Sequence, residues 1–154
     1  MNIKLKLNGL AVTDEVSADM TLYTFLRKHG CYSVKCGCET TNCGLCTVIM
    51  NGKPVLSCAV LAARANGAVI ETLEGLRAEA DEFGFCLADE GAEQCGFCNP
   101  GLIVNVVAMM RECEDLTAQN VKEFLSGNLC RCTGYQGQLR ALQKFIEKKR
   151  GVRI

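Results

Sequence analysis

Residues 2–8 alternate, with Ile3, Leu5 and Leu7 on one side and Lys4, Lys6 and Asn8 on the other. A period of two predicts a strand with one buried face. Asn8-Gly9 supplies the two-residue turn of a hairpin, whose second strand is expected over residues 10–16. The period then changes. Leu22, Phe25 and Leu26 stand at i, i+3 and i+4, with Asp19 or Thr21 ahead and Gly30 behind, which predicts a short capped helix. Residues 35–46, rich in Gly and Cys, read as a loop. Residues 47–50 and 54–58 predict strands joined around Asn51-Gly52-Lys53, and residues 68–72 predict one more.

Beyond about residue 75 the strand pattern stops. Residues 83–90 predict a short helix. Asn99 as N-cap and Pro100 as the first helical residue open a stronger one through LIVNVVAMMRE. Thr117 caps residues 118–125, which Gly127 is expected to end. A last helix is expected over residues 136–149, with Leu139, Leu142, Phe145 and Ile146 as its apolar stripe. The expected class is α+β: a small mixed sheet with one crossing helix, then four helices. The expected domains are residues 1–76 and 77–154. Units of that size have marginal cores, and a metal centre in each would compensate.

Composition narrows the function. Of 154 residues 49% are apolar, enough for packed cores. Seventeen basic side chains balance seventeen acidic ones, which gives no electrostatic case for nucleic acid or an anionic membrane. The opening MNIKLKLNGL lacks the continuous apolar stretch of a signal peptide. The apolar run 102–110 is interrupted by Asn105 and falls well short of the roughly 20 residues that span a bilayer. The expectation is a cytoplasmic chain whose twelve cysteines bind metal or react instead of forming disulfides.

Eight of those cysteines form two sets. Cys38, Cys43 and Cys46 follow C-x4-C-x2-C, with Cys58 further on, the spacing of plant-type [2Fe–2S] sites. Gly37 and Gly44 permit the close backbone approach such a loop needs. Four cysteines also suit zinc, although zinc knuckles usually pair two short C-x2-C turns and this set has one. The second set is Cys95 and Cys98 in QCGFCNPG, with Cys130 and Cys132 in GNLCRCTGY. No acidic pair, nucleophile elbow or phosphate loop accompanies either set. Two centres without substrate machinery suggest an electron relay.

The strings SVKCGC, CGLCTV, TLEG, EQCGFCNPG and SGNLCRCTGYQ, in this order, resemble the small iron–sulfur subunit of the molybdenum hydroxylases, the xanthine oxidase and aldehyde oxidoreductase family. The resemblance runs essentially the whole length. It implies a β-grasp, plant-type ferredoxin-like domain with a [2Fe–2S] cluster on Cys38, Cys43, Cys46 and Cys58. It implies an all-α four-helix domain with a second [2Fe–2S] on Cys95, Cys98, Cys130 and Cys132. Gln94 and Cys132 match positions that contact the pterin in that family. Electrons would pass from molybdopterin on a large partner subunit through the second and then the first cluster to FAD on another partner. The assembly would be a hetero-oligomer, a dimer of heterotrimers, acting on a purine or other N-heterocycle. A stand-alone two-cluster carrier is the alternative.

Thr40, Thr41 and Leu45 stand where relatives commonly have Glu, Gly and Ala, and Asn99 stands for Thr. These changes touch the first loop's conformation and its fit to the flavin partner, not the ligands. Cys31, Cys36, Cys86 and Cys113 match no ligand position and are expected to be small buried fillers. His29, the single histidine, falls at a helix end, where it favours the dipole.

Overall fold

The computed structural model describes residues 1–153, so Ile154, the last residue of the expected second domain, lies outside the described residues. In chain order the elements are β1 Asn2–Leu7, β2 Leu10–Glu15, α1 Leu22–Lys28, β3 Thr47–Met50, β4 Lys53–Leu56, β5 Val69–Glu71, α2 Arg77–Asp89, α3 Asn99–Glu112, α4 Ala118–Leu125 and α5 Gln136–Arg150. The five strands form one mixed sheet in the order β2-β1-β5-β3-β4. Among the described residues only β1 and β5 pair in parallel; β1–β2, β3–β4 and β3–β5 are antiparallel.

Both hairpins turn as their Asn-Gly pairs dictate. Asn8 and Gly9 have φ of 49° and 86°, Asn51 and Gly52 of 51° and 83°, the twist that matches two-residue connections. Lys53 is therefore the first residue of β4 and not part of the turn. Asn8 also holds the exit from the sheet: its Nδ2 donates to Thr72 Oγ1 at 2.9 Å, and Thr72 N–H donates to its Oδ1 at 2.8 Å. Glu74 accepts from the Ser33 N–H and hydroxyl at 2.8 and 2.6 Å. The TLEG segment is thus tied to the first hairpin and to the chain entering the cysteine loop.

Two apolar cores meet at one strand. Ile3, Leu5, Leu7, Leu22, Phe25, Leu26, Val48 and Ile70 fill the space between sheet and α1. Phe83, Leu87, Val106, Val107, Leu142 and Ile146 form the helical core, and Ile49 joins it. Val48 and Ile49 are neighbours on β3, so their side chains leave opposite faces and serve different cores. α3 packs on β3 and β4 as well as on α2 and α4. That is why its run Leu102 to Met109 is buried all round within this chain; its apolar circumference requires no partner subunit.

Several boundaries differ from expectation. α2 begins at Arg77, six residues before residue 83, because Leu76, Ala80, Phe83 and Leu87 make a continuous buried stripe. β4 ends at Leu56, and Cys58 sits in a short 3-10 turn, Ser57–Ala59, not on a strand. Cys98 is the N-cap of α3, which moves Asn99 and Pro100 one position into the first turn. α4 does begin after Thr117, whose hydroxyl accepts from Asn120 N–H at 3.2 Å, but Ser126 is its C-cap and Gly127 is not left-handed. In α5, Gln138 occupies a buried place beside Ala141, Leu142, Phe145 and Ile146, while Leu139 is half-buried. Among the described residues no helix is long and apolar enough to cross a membrane.

Candidate metal centres

The first cysteine loop is shaped by hydrogen bonds to its own carbonyls. Thr47 Oγ1 donates to Gly44 C=O at 2.7 Å, Lys35 N–H to Leu45 C=O at 3.3 Å, and Ser57 Oγ to Cys46 C=O at 2.8 Å. The last bond sets the 3-10 turn against the loop and brings Cys58 Sγ to 3.3 Å from Cys46 Sγ. Cys38 and Cys43 are likewise within hydrogen-bond reach of each other. The four sulfurs therefore stand as two pairs.

The second set repeats this on a different frame. Cys95 and Cys98 precede α3 and Cys130 and Cys132 precede α5. Cys132 Sγ lies 3.5 Å from Cys95 Sγ, and Cys130 lies within hydrogen-bond reach of Cys98. Tyr135, itself left-handed at φ 69°, accepts the Cys130 N–H on its hydroxyl at 3.0 Å. Gln94 Nε2 donates to Cys132 C=O at 3.1 Å, so Gln94 and Cys132 stand together, both exposed.

Electrostatics distinguish the members of these pairs. The Asn42 backbone N–H, with the Cys43 thiol and the Thr40 amide, brings Cys38 down to about 6, whereas burial raises Cys43. Burial opposes ionisation at Cys130, yet the Thr133 hydroxyl and the Thr133 and Cys132 amides bring it down to about 7. Burial, then the Cys130 thiol, pushes Cys98 up to about 11. The Phe97 amide lowers Cys95, and Cys95 in turn raises Cys132. Burial and Cys46 push Cys58 up to about 12. Cys38 in the first set and Cys130 in the second are thus poised as thiolate, the form that binds metal. In the metal-free chain at pH 7, iodoacetamide is expected to label Cys38 and Cys130 well ahead of buried Cys31 and Cys86, both of which burial raises. Peptide mass spectrometry reads this, and equal labelling of all four would refute it.

The donor sets suit a cluster with two metals. A tetrahedral zinc holds every ligand at about 2.3 Å from one point. Among the described residues no three His, Cys, Asp or Glu side chains converge on such a point. Two close thiol pairs per set, with backbone and side-chain N–H groups aimed at sulfur, match the four thiolates of a [2Fe–2S] cluster. Six of the eight cysteines, all but Cys46 and Cys58, line one cleft of about 410 Å³ together with Phe97, Leu129 and Tyr135. Larger hollows of about 510 and 550 Å³ lie on the outer side of α2 and between β4 and α4, and neither is lined by cysteine.

Three residues had no signal strong enough to be singled out from sequence. Gln138 Nε2 reaches Cys98 Sγ at 3.7 Å; its place on the stripe of Ala141, Leu142 and Phe145 was the available clue. Thr133 N–H and hydroxyl approach Cys130 Sγ at 3.5 and 3.1 Å. Phe97, between Cys95 and Cys98, lies 4.7 Å under the Lys35 ammonium, a cation–π contact between the two loops.

The unmatched cysteines divide. Cys31 and Cys86 are buried and Cys113 half-buried, as fillers. Cys36 is exposed, because it rides the outer side of the loop and donates to Cys38 C=O at 3.2 Å, which corrects the expectation for it. His29 caps α1, contacts Phe25 and meets Asp14 Oδ2 at 3.0 Å. Thr41 is exposed and held at φ 57°. That region costs a non-glycine residue roughly 1–2 kcal/mol and is rarer still for a β-branched one. Thr41→Gly is therefore expected to raise stability by about 1 kcal/mol in urea titration, after allowing for the looser unfolded chain.

Comparisons with known proteins agree with this geometry. The family described as "2Fe-2S iron-sulfur cluster binding domain" matches residues 5–88, and the family "[2Fe-2S] binding domain" matches residues 72–143. The nicotinate dehydrogenase small FeS subunit of Eubacterium barkeri is 41% identical over 151 residues, covering 96% of each chain. The xanthine dehydrogenase iron-sulfur-binding subunit of Escherichia coli O157:H7 is 41% identical over 141 residues, 88% of each. Among solved structures, quinoline 2-oxidoreductase from Pseudomonas putida 86 superposes with a TM-score of 0.86 at 35% identity, covering 100% of this chain and 98% of that one.

Proposed function

The chain belongs to the small [2Fe–2S] iron–sulfur subunits of molybdenum hydroxylase-type dehydrogenases, and from that premise we propose that it carries electrons, one at a time, from a molybdopterin centre to FAD on partner subunits. The observation that carries the reading is the paired arrangement of two four-cysteine sets, six of whose eight cysteines line one cleft. Cys38 with Cys43, and Cys46 with Cys58, would hold the two irons of one cluster; Cys95 with Cys132, and Cys98 with Cys130, those of the other. Each [2Fe–2S] cluster supplies a one-electron couple when bound.

The residues around the sulfurs do the tuning. Amides of Thr40, Asn42 and Cys43 stabilise negative charge at Cys38, the Phe97 amide does so at Cys95, and Thr133 does so at Cys130. Burial at Cys98 and Cys58 works in the other direction. Exposed Gln94 and Cys132 form the proposed contact to the pterin, so electrons would enter at the Cys95–Cys132 side and leave from the first loop. Residues 1–76 and 77–154 are the proposed domains, the sheet unit facing the flavin partner and the helical unit the large molybdopterin subunit. The complex is proposed to be a cytoplasmic hetero-oligomer, a dimer of heterotrimers. Relatives named for nicotinate, xanthine and quinoline support an N-heterocyclic substrate, a purine among them.

The test is metal analysis with co-purification. About four iron and four inorganic sulfide per chain are expected from two [2Fe–2S] clusters, in a complex that retains a large molybdopterin subunit. A colourless zinc-containing chain would overturn the cluster assignment. A loaded chain that purifies from its host alone would favour the free carrier.

A further inference from the structure

Asn105 is the one polar side chain in the buried stretch Leu102 to Met109 of α3, and it is 7% exposed. A buried amide is destabilising unless its bonds are made, and these bonds lead away from α3. Its Nδ2 donates to Phe124 C=O at 3.1 Å, in the last turn of α4, and to Asn128 Oδ1 at 2.5 Å. With Oδ1 committed to Asn105, the Asn128 amide presents its Nδ2 to the opposite side. There it donates to Gly44 C=O at 3.4 Å. The adjacent Leu129 N–H donates to Cys43 C=O at 2.9 Å. Gly44 lies between Cys43 and Cys46, and Leu129 directly precedes Cys130.

We propose that Asn105 and Asn128 are positioning residues that clamp residues 127–130 onto residues 43–44 and so set the separation and electronic coupling of the two cysteine sets. This rests on the reading of both sets as cluster ligands. A purely structural role would have Asn105 satisfying the end of α4 through Phe124, with Asn128 as a convenient acceptor. Asn128→Asp separates the two. Aspartate keeps an acceptor for Asn105 but has no donor for Gly44 C=O, and Asn128 is only half-buried, so the change is compatible with folding. Asn105→Leu is the second variant; it suits the apolar surroundings and leaves Asn128 free to turn.

The experiment uses the intact complex. Iron and sulfide are assayed first in the unaltered protein, which tests the ligand reading by itself. Amide hydrogen exchange at Leu129 and the magnetic interaction between the two reduced clusters, read by electron paramagnetic resonance, then test the clamp. In both variants the metal content is expected to stay at the unaltered value. Leu129 protection is expected to fall about tenfold or more, as loss of a local bonding network allows. The spin–spin splitting changes with it, and transfer between clusters slows by about tenfold. Normal metal content with Leu129 exchange, splitting and transfer all within about twofold of the unaltered complex would overturn the clamp while leaving the ligand reading intact. Absence of iron from the unaltered protein would overturn the ligand reading and the coupling proposal with it.

Discussion

Cys132→Ser is expected to lower iron and sulfide from about four to about two per chain and to stop substrate-driven reduction of the flavin. Cys132 is paired with Cys95 at 3.5 Å and bonded through its carbonyl to Gln94, so one substitution disturbs a proposed ligand pair and the proposed pterin contact together. A serine hydroxyl does not ionise near neutral pH, and the second set loses its fourth thiolate. Cys58→Ser removes a proposed ligand of the other set, whose pair with Cys46 is 3.3 Å across. It too is expected to leave about two iron, but electrons from substrate should still reach the second set. The consequence is a complex whose molybdenum centre and remaining cluster are reduced by substrate at the normal rate, with passage to the flavin slowed a hundredfold or more, beyond the effect of losing an outer-shell contact. Stopped-flow absorbance separates the two phases. Equal loss of the first phase in both variants would sink the proposed order of the centres.

Gly101→Ala should destabilise the chain by about 3 kcal/mol, the upper end of overpacking effects. Helix propensity alone argues the opposite, since alanine in a helix is better than glycine by about 1 kcal/mol. The contact decides the sign. A Cβ on Gly101 would come closer than 3.0 Å to Gly44 C=O and to 3.0 Å from Leu45 Cα, both backbone atoms that cannot swing away. Gly44 is held there by its φ of 75°, and its own Cβ position would collide with Gly127 C=O. α3 and the first cysteine loop therefore touch backbone to backbone. Separating them loosens the floor of the cleft between the two sets. A fall in melting temperature of about 10 °C is expected. Gly84 is the control: it lies in α2 with nothing within 4 Å of its Cβ position, so Gly84→Ala should raise stability by about 1 kcal/mol. Two glycine-to-alanine changes of opposite sign, both inside helices, isolate the close approach from propensity.

Most of the secondary structure was legible because its determinants are local. Alternation placed β1, the Asn-Gly pairs fixed both hairpin turns, and Thr117 marked the start of α4. α2 was seen only from residue 83 because its N-terminus has no capping side chain. Its first turn is held by tertiary burial of Leu76 and Ala80. The α5 stripe differs at one edge for a related reason: Leu139 is half-buried and Gln138 takes the fully buried place. Period alone does not say whether Gln138 or Leu139 faces the core, and the sulfur of Cys98 supplies the partner that makes Gln138 the buried one.

What the sequence determined by itself was the chemistry: eight cysteines in two spacings, and the order of a sheet unit and a helical unit. Thiolate sites need particular residue types at short intervals, and such intervals are visible in one dimension. Tertiary structure alone decided which sulfurs pair, that both sets open on one cleft, that α3 is apolar all round because it lies between sheet and helices, and that Asn105, Asn128, Gly44 and Gly101 join the two loops. Those facts depend on contacts between residues apart in sequence, from Cys46 with Cys58, 12 positions apart, to Gly44 with Asn128, 84 positions apart, and no local pattern encodes them.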